Sequence, residues 1–139
     1  MFLATLCCAV GDGTRLLCYS ALGNLFTWEV LIQKSHRLVT TGPYSFVRHP
    51  SYTGLALVYF GIGLFTIAPG TLISECFARQ HDTVAYWLRW GYVVYSLMLV
   101  SWFVFSRVPT EDRLLKEEFG KEWEKWAKET RYKLIPFIF

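Results

Sequence analysis

From Tyr52 to Ser74 the chain runs for 23 residues without an Asp, Glu, Lys or Arg, and no other feature limits the possible folds so strongly. A helix needs roughly 20 predominantly apolar residues to cross hydrocarbon, and GLALVYFGIGLF lies at the centre of this run. It is the strongest membrane segment, with Pro69-Gly70 marking a kink or the exit into a loop. Thr83 to Ser106 reads as a second span, uncharged from Trp90 onward, with Arg89 near its entrance placed to extend its head toward the interface. Trp87, Trp90, Tyr92 and Tyr95 near one end and Trp102 near the other resemble interfacial aromatic belts. Joined by the polar turn Glu75 to Asp82, the two spans make a helical hairpin over 52–106. That topology puts the loop before Tyr52 and the tail after Ser106 on the same side of the membrane.

Composition points the same way. Of 139 residues, 53% are hydrophobic, 18% aromatic and only 18% charged. A chain this short cannot hide half its residues in one core, so a free-standing cytosolic domain is excluded, and the length excludes a large transporter bundle. The net charge of +3 is too mild to argue for nucleic acid. Its distribution is more informative: no acid lies between Val30 and Ser74, whereas Lys34, Arg37 and Arg48 do, with His36 and His49. A basic stretch beside apolar runs suits the cytosolic face of a membrane.

Met1 to Val10 is apolar but only half a span, interrupted by Gly11-Asp12-Gly13 and Arg15, and it lacks the pattern of a signal peptide. Leu16 to Trp28, broken by Gly23 and Asn24 and closed by Glu29, reads as a short re-entrant or interfacial helix. Cys7, Cys8, Cys18 and Cys76 show no metal-ligand spacing and read as small buried hydrophobes. No metal is expected. After Ser106, Leu115, Phe119, Trp123 and Trp126 recur at spacings of three and four, the apolar stripe of an amphipathic helix on the membrane or against the hairpin. The short apolar end from Tyr132 is halted by Pro136.

The expected fold is therefore an all-α integral membrane domain over 1–139, short at its N-terminus. It divides into a partial span and interfacial helix (1–32), a cytosolic cofactor-binding loop (33–51), the transmembrane helical hairpin (52–106) and a catalytic tail helix (107–139).

Two clusters of chemistry-bearing residues fall on one side of that hairpin. The first is HRLVTTGPYSFVRHPSYTG, His36 to Gly54, where Gly-Pro content marks a turn and Pro50 suits the first turn of the following helix. A helix entrance favours anionic groups such as a carboxylate, and Tyr44 and Tyr52 are suited to stack on a flat base or a sulfonium cation. On composition alone, such a basic aromatic loop is more often a lipid headgroup anchor. The second cluster is Arg107-Val108-Pro109-Thr110-Glu111-Asp112. Arg107 and Glu111 share a helix face at a spacing of four, although a positive stop followed by a solvated helix start explains the pattern equally well.

HRLVTTGPYSFVRHPSYTG, an apolar hairpin, and then RVPTEDRLLKEEFGKEWEKWAKETRYKLIP resemble, in that order, the isoprenylcysteine carboxyl methyltransferase family of integral membrane enzymes. The resemblance runs from about Arg15, through LLCYSALGNLFT, to the C-terminus. RHPSYTG alone is less specific, since similar stretches occur in phospholipid N-methyltransferases and some membrane sterol reductases.

The resemblance implies methylation of a C-terminal prenylcysteine carboxylate, with S-adenosylmethionine as donor, in the endoplasmic reticulum membrane with the site facing the cytosol. Prenylated protein C-termini and membrane lipid are the implied partners. By similarity the cofactor contacts are Gln33, His36, Arg37, Leu38, Val39, Tyr44, His49, Pro50, Ser51, Tyr52 and Glu111; Arg107 addresses the substrate, and Arg107 with Glu111 forms the catalytic pair. A phospholipid amine N-methyltransferase is the alternative enzyme. It needs a neutral amine, beside which a base helps and an arginine does not. A non-catalytic membrane fragment or interaction subunit is the third reading.

Overall fold

The structure, a computed structural model, describes residues 1–25, 37–71 and 83–136. The described residues form four α-helices and two short 3-10 turns: α1 (Phe2–Leu22), α2 (Pro50–Ile67), α3 (Thr83–Phe119) and α4 (Lys121–Glu129), with the turns at Gly23–Leu25 and Gly42–Ser45. No strand occurs among them. Three of the helices, α1, α2 and most of α3, are long and apolar enough to cross a membrane. The polar turn expected over Glu75 to Asp82, and Cys76 within it, lie outside the described residues.

The expected break at Gly11-Asp12-Gly13 is absent: α1 is one helix of 21 residues. Gly11 is a contact surface instead. A Cβ placed on it would lie 2.6 Å from the carbonyl oxygen of Gly54, and one placed on Gly54 would lie 2.7 Å from that of Gly11. Further along the pair, Gly61 leaves room for Cys8 and the backbone of Ala4. Small residues let two helix backbones approach closely, and this packing outweighs the helix-propensity cost of roughly 1 kcal/mol per glycine. Ala4, Gly11 and Cys18, seven residues apart, are the buried positions of α1. The contacts also set direction, because Gly11 meets Gly54 while Ala4 meets Gly61, so the two helices run antiparallel.

Helix α2 starts on Pro50, whose missing N–H is harmless in a first turn, and ends at Ile67. Gly70 then takes a positive φ of 77°, so Pro69-Gly70 marks an exit from the helix. A Cβ on Gly63 would touch Val93 of α3 at 3.3 Å, while the Tyr52 and Phe103 rings meet edge to face at 6.2 Å. Helix α3 is therefore antiparallel to α2, and the end of α1, the start of α2 and the second half of α3 gather at one end.

The tail departs from expectation at two points. Helix α3 does not stop near Ser106; it continues through Pro109 for 37 residues in all. At a rise of 1.5 Å per residue it is about 55 Å long, against about 30 Å of hydrocarbon, so its second half carries Arg107, Glu111 and Asp112 on a rigid extension of the span. Pro109 is exposed and costs the helix one donor. The apolar stripe from Leu115 to Trp126 is likewise divided between two helices, because Gly120 turns the chain with a φ of 48°. Beyond that turn, α4 buries Trp126 and leaves its lysines and glutamates exposed.

Candidate active site

The loop from Arg37 into α2 is shaped by its own turn and by the C-terminal segment. Gly42 adopts a φ of 65°, the Ser45 hydroxyl donates to the Gly42 carbonyl at 2.8 Å, and the Phe46 N–H donates to Pro43 at 3.3 Å. Trp126 of α4 donates its indole N–H to the Tyr44 carbonyl at 3.2 Å. The residues after α4 then fasten the loop's second half. The N–H groups of Arg48 and His49 donate to the carbonyls of Tyr132 and Lys133 at 2.9 and 2.8 Å, and the Thr53 hydroxyl donates to that of Leu134 at 2.6 Å. What read as an apolar end is thus a strap that satisfies backbone donors at the entrance to α2, and Val47, Arg48, His49 and Pro50 are all buried under it.

His49 stands between two carboxylates from adjacent positions of α3. Its Nδ1 lies 3.1 Å from Glu111 Oε2 and its Nε2 lies 3.0 Å from Asp112 Oδ1. Carboxylates only accept hydrogen bonds, so both ring nitrogens donate and the ring carries both protons. Burial opposes that charge, but the hydrogen bonds to Asp112 and Glu111 and their negative charges outweigh it and raise the His49 pKa above its ordinary value. Glu111 also accepts from the Tyr52 hydroxyl at Oε1, 3.0 Å away. Among the described residues, these contacts engage two of its roughly four lone-pair sites. Burial pushes the Tyr44 phenol well up, so it remains a neutral hydroxyl.

These groups border a cavity of about 820 Å³, within the range that holds a small-molecule ligand. One end is polar: Arg15 and Tyr19 of α1, Arg37 and Tyr44 of the loop, His49, Ser51 and Tyr52 at the start of α2, and Arg107 and Glu111 of α3. The other end is apolar and aromatic, running between Leu55 and Tyr59 of α2 and Tyr92, Tyr95, Leu99 and Phe103 of α3. Among the lining residues Glu111 is the one acid against Arg15, Arg37, Arg48 and Arg107. Arg107 sits 5.1 Å above the Phe103 ring, one helical turn from Glu111.

The family model described as the isoprenylcysteine carboxyl methyltransferase (ICMT) family matches residues 3–78, more than half of the chain. The chain belongs to the isoprenylcysteine carboxyl methyltransferase family. It is 32% identical over 132 residues to a probable protein-S-isoprenylcysteine O-methyltransferase of Oryza sativa subsp. indica, an alignment covering 93% of this chain and 57% of that protein. Over the same 93% of its length it is 30% identical to the protein-S-isoprenylcysteine O-methyltransferase of Saccharomyces cerevisiae and 27% identical to protein-S-isoprenylcysteine O-methyltransferase B of Arabidopsis thaliana, covering 46% and 55% of those proteins. The chain thus spans about half the length of the curated relatives it matches. No solved structure matches it significantly.

In this ICMT-family chain the cavity gathers Arg37, Leu38, Val39, Tyr44, His49, Ser51, Tyr52, Arg107 and Glu111, all expected from the motifs. Pro50 is buried in the first turn of α2 and does not line it. Gln33 and His36 lie outside the described residues. Sequence reasoning missed Asp112, although it stands in the second cluster, and it missed Arg48, Arg15, Trp126 and Lys133. Asp112 binds Arg48 at 3.3 Å and Lys133 at 3.7 Å as well as His49. The Arg48 guanidinium is packed over the Trp123 ring at 5.5 Å. The only local signal was the acidic pair Glu111-Asp112 itself; its partners lie some 20 and 60 positions away, beyond any spacing rule.

Proposed function

We propose that this chain methylates the C-terminal carboxylate of a prenylated cysteine, giving a methyl ester, with S-adenosylmethionine as donor. The observation that carries the reading is the cavity itself: Arg107 and Glu111 stand one turn apart on the wall of a space that is cationic at one end and apolar between α2 and α3 at the other. Family membership supports it.

The donor, when bound, supplies a methyl group activated on a positively charged sulfur, so transfer forms an O–C bond, breaks an S–C bond and moves no proton. The chain's task is then positioning, and well-oriented reactants can gain about 7–11 kcal/mol over free encounter. Arg107 holds one carboxylate oxygen by a charge-assisted hydrogen bond and leaves the other to attack. Glu111, steadied by Tyr52 and His49, receives the ammonium group of the donor. Arg37, Leu38, Val39, Tyr44, Ser51 and Tyr52 form the surrounding wall, with Gln33, His36 and Pro50 assigned to the same donor site by resemblance. The aliphatic chain lies along Leu55, Tyr59, Leu99 and Phe103, entering from lipid. In this reading α2 and α3 form a transmembrane hairpin in the endoplasmic reticulum membrane, with the loop and tail on the cytosolic side.

Detergent-solubilised protein supplied with radiolabelled S-adenosylmethionine is expected to label a farnesylcysteine analogue and not phosphatidylethanolamine. Labelling of the lipid alone transfers the assignment to an amine methyltransferase. Labelling of neither, with no donor binding, overturns the catalytic reading.

A further inference from the structure

Asp112 stands next to Glu111 in sequence but does not line the cavity. It is buried, and its carboxylate meets three basic side chains from outside its own helix. Oδ1 faces His49 Nε2 at 3.0 Å, while Oδ2 faces Arg48 Nη1 at 3.3 Å and Lys133 Nζ at 3.7 Å. His49 in turn presents its other nitrogen to Glu111. The line from Lys133 and Arg48 through Asp112 and His49 thus ends on the one carboxylate of the cavity wall.

We propose that Asp112 is a positioning residue for the donor site: from behind the wall it holds the His49 ring so that Nδ1 fixes Glu111 in the orientation that receives the donor's ammonium group. This rests on the methyltransferase reading above.

The argument is one of hydrogen-bond inventory. A neutral imidazole has one donor and one acceptor nitrogen, so it cannot donate to two carboxylates at once. Asp112 makes the second donor necessary. With Asn in its place the ring can keep one proton on either nitrogen, and Glu111 then loses a cationic partner and its fixed orientation. Other charged or titratable groups near His49 do not replace Asp112. Tyr52 donates to Glu111 from α2, Arg107 stands over the Phe103 ring on α3, and the side chains of Arg48 and Lys133 pair with Asp112. Burial raises the stakes, since an ion pair out of water is destabilised by loss of one member more than an exposed pair is.

The test combines ring-nitrogen NMR of ¹⁵N-histidine protein, with the His49 signals assigned by their loss in His49→Gln, and initial rates with S-adenosylmethionine and a farnesylcysteine analogue. At neutral pH the parent is expected to show both His49 nitrogens protonated and Asp112→Asn only one. In Asp112→Asn the donor KM should rise roughly ten-fold or more, the defect should deepen as pH rises, and Asp112→Glu should restore part of the binding. A purely structural role lowers the amount of folded enzyme and leaves donor KM and its pH dependence unchanged, which overturns the proposal. If Asp112→Asn does not fold, Asp112→Glu decides: a doubly protonated His49 ring with a raised donor KM, as expected for a carboxylate displaced by one methylene, supports the proposal, and a parent-like donor KM overturns it. A parent that turns over neither substrate refutes the methyltransferase reading, while the NMR result still tests the Asp112–His49–Glu111 linkage by itself.

Discussion

The two ends of the helix bundle are held together by opposite chemistry. Along the seam between α1 and α2 the helices meet through Gly11, Gly54 and Gly61, close enough that an added Cβ would strike the partner helix, and α3 leaves Trp87, Leu88 and Met98, none of which lines the cavity, exposed. At the cavity, three segments distant in sequence are joined by His49, Glu111, Asp112, Arg48 and Lys133, with both ring nitrogens of His49 and both carboxylate oxygens of Glu111 and of Asp112 directed at named partners. Lipid is as apolar as a side chain, so burying apolar surface gains nothing within it and helices there must associate by close fit. Where the chain emerges toward water, buried ions stay in place only if paired. The first mode tolerates no added atom, and the second tolerates no lost charge.

The largest expected effect lies at the polar end. Arg107→Ala should lower the rate of methyl transfer by roughly a hundred-fold or more, as loss of a group that stabilises reacting charge does, while leaving S-adenosylmethionine binding near that of the parent. Binding calorimetry with single-turnover rates checks it, and parent-like turnover would remove Arg107 from its role. Next comes the glycine seam. Gly11→Ala should destabilise the protein by about 1–3 kcal/mol through overpacking, because the added Cβ meets the Gly54 carbonyl. Gly13→Ala, which meets nothing within 4 Å, should be neutral or stabilise by up to about 1 kcal/mol through helix propensity. Unfolding in mixed micelles separates the two, and equal effects would mean that the seam is not what joins α1 to α2.

Smaller effects sharpen the comparison. The His49 pKa is raised in the folded state, so the stability it contributes is fully present below the ordinary histidine value of about 6.5 and is lost as pH rises through the higher folded value. Unfolding midpoints recorded across that window should fall with rising pH in the parent and fall less in His49→Gln. Smallest of all, Trp126→Phe removes the donor to the Tyr44 carbonyl and should cost about 0.5–1.5 kcal/mol, read as a lower unfolding midpoint with the donor KM moved only slightly.

Much of this was legible before any coordinates. The uncharged run from Tyr52 to Ser74 demanded a membrane-competent helix, and the hairpin argument placed the His36 to Gly54 loop and the Arg107 to Asp112 cluster at one end, where the structure brings their described residues together. These are properties of composition and period, and transfer from water to hydrocarbon depends on which residues are adjacent in the chain. Gly11-Asp12-Gly13 misled because a glycine that breaks a helix and one that admits a neighbouring backbone look the same until the neighbour is known. Pro109 misled for a related reason, since its side of α3 faces outward and the packed face carries the helix through. The sequence by itself determined that the chain is helical, apolar and two-clustered. Only the tertiary structure decided that Asp112 stands behind His49, that the strap at Tyr132 to Leu134 closes over the loop, and that Arg48 belongs to a buried pair, because the partner of a charge or a backbone donor is set by which elements meet in space.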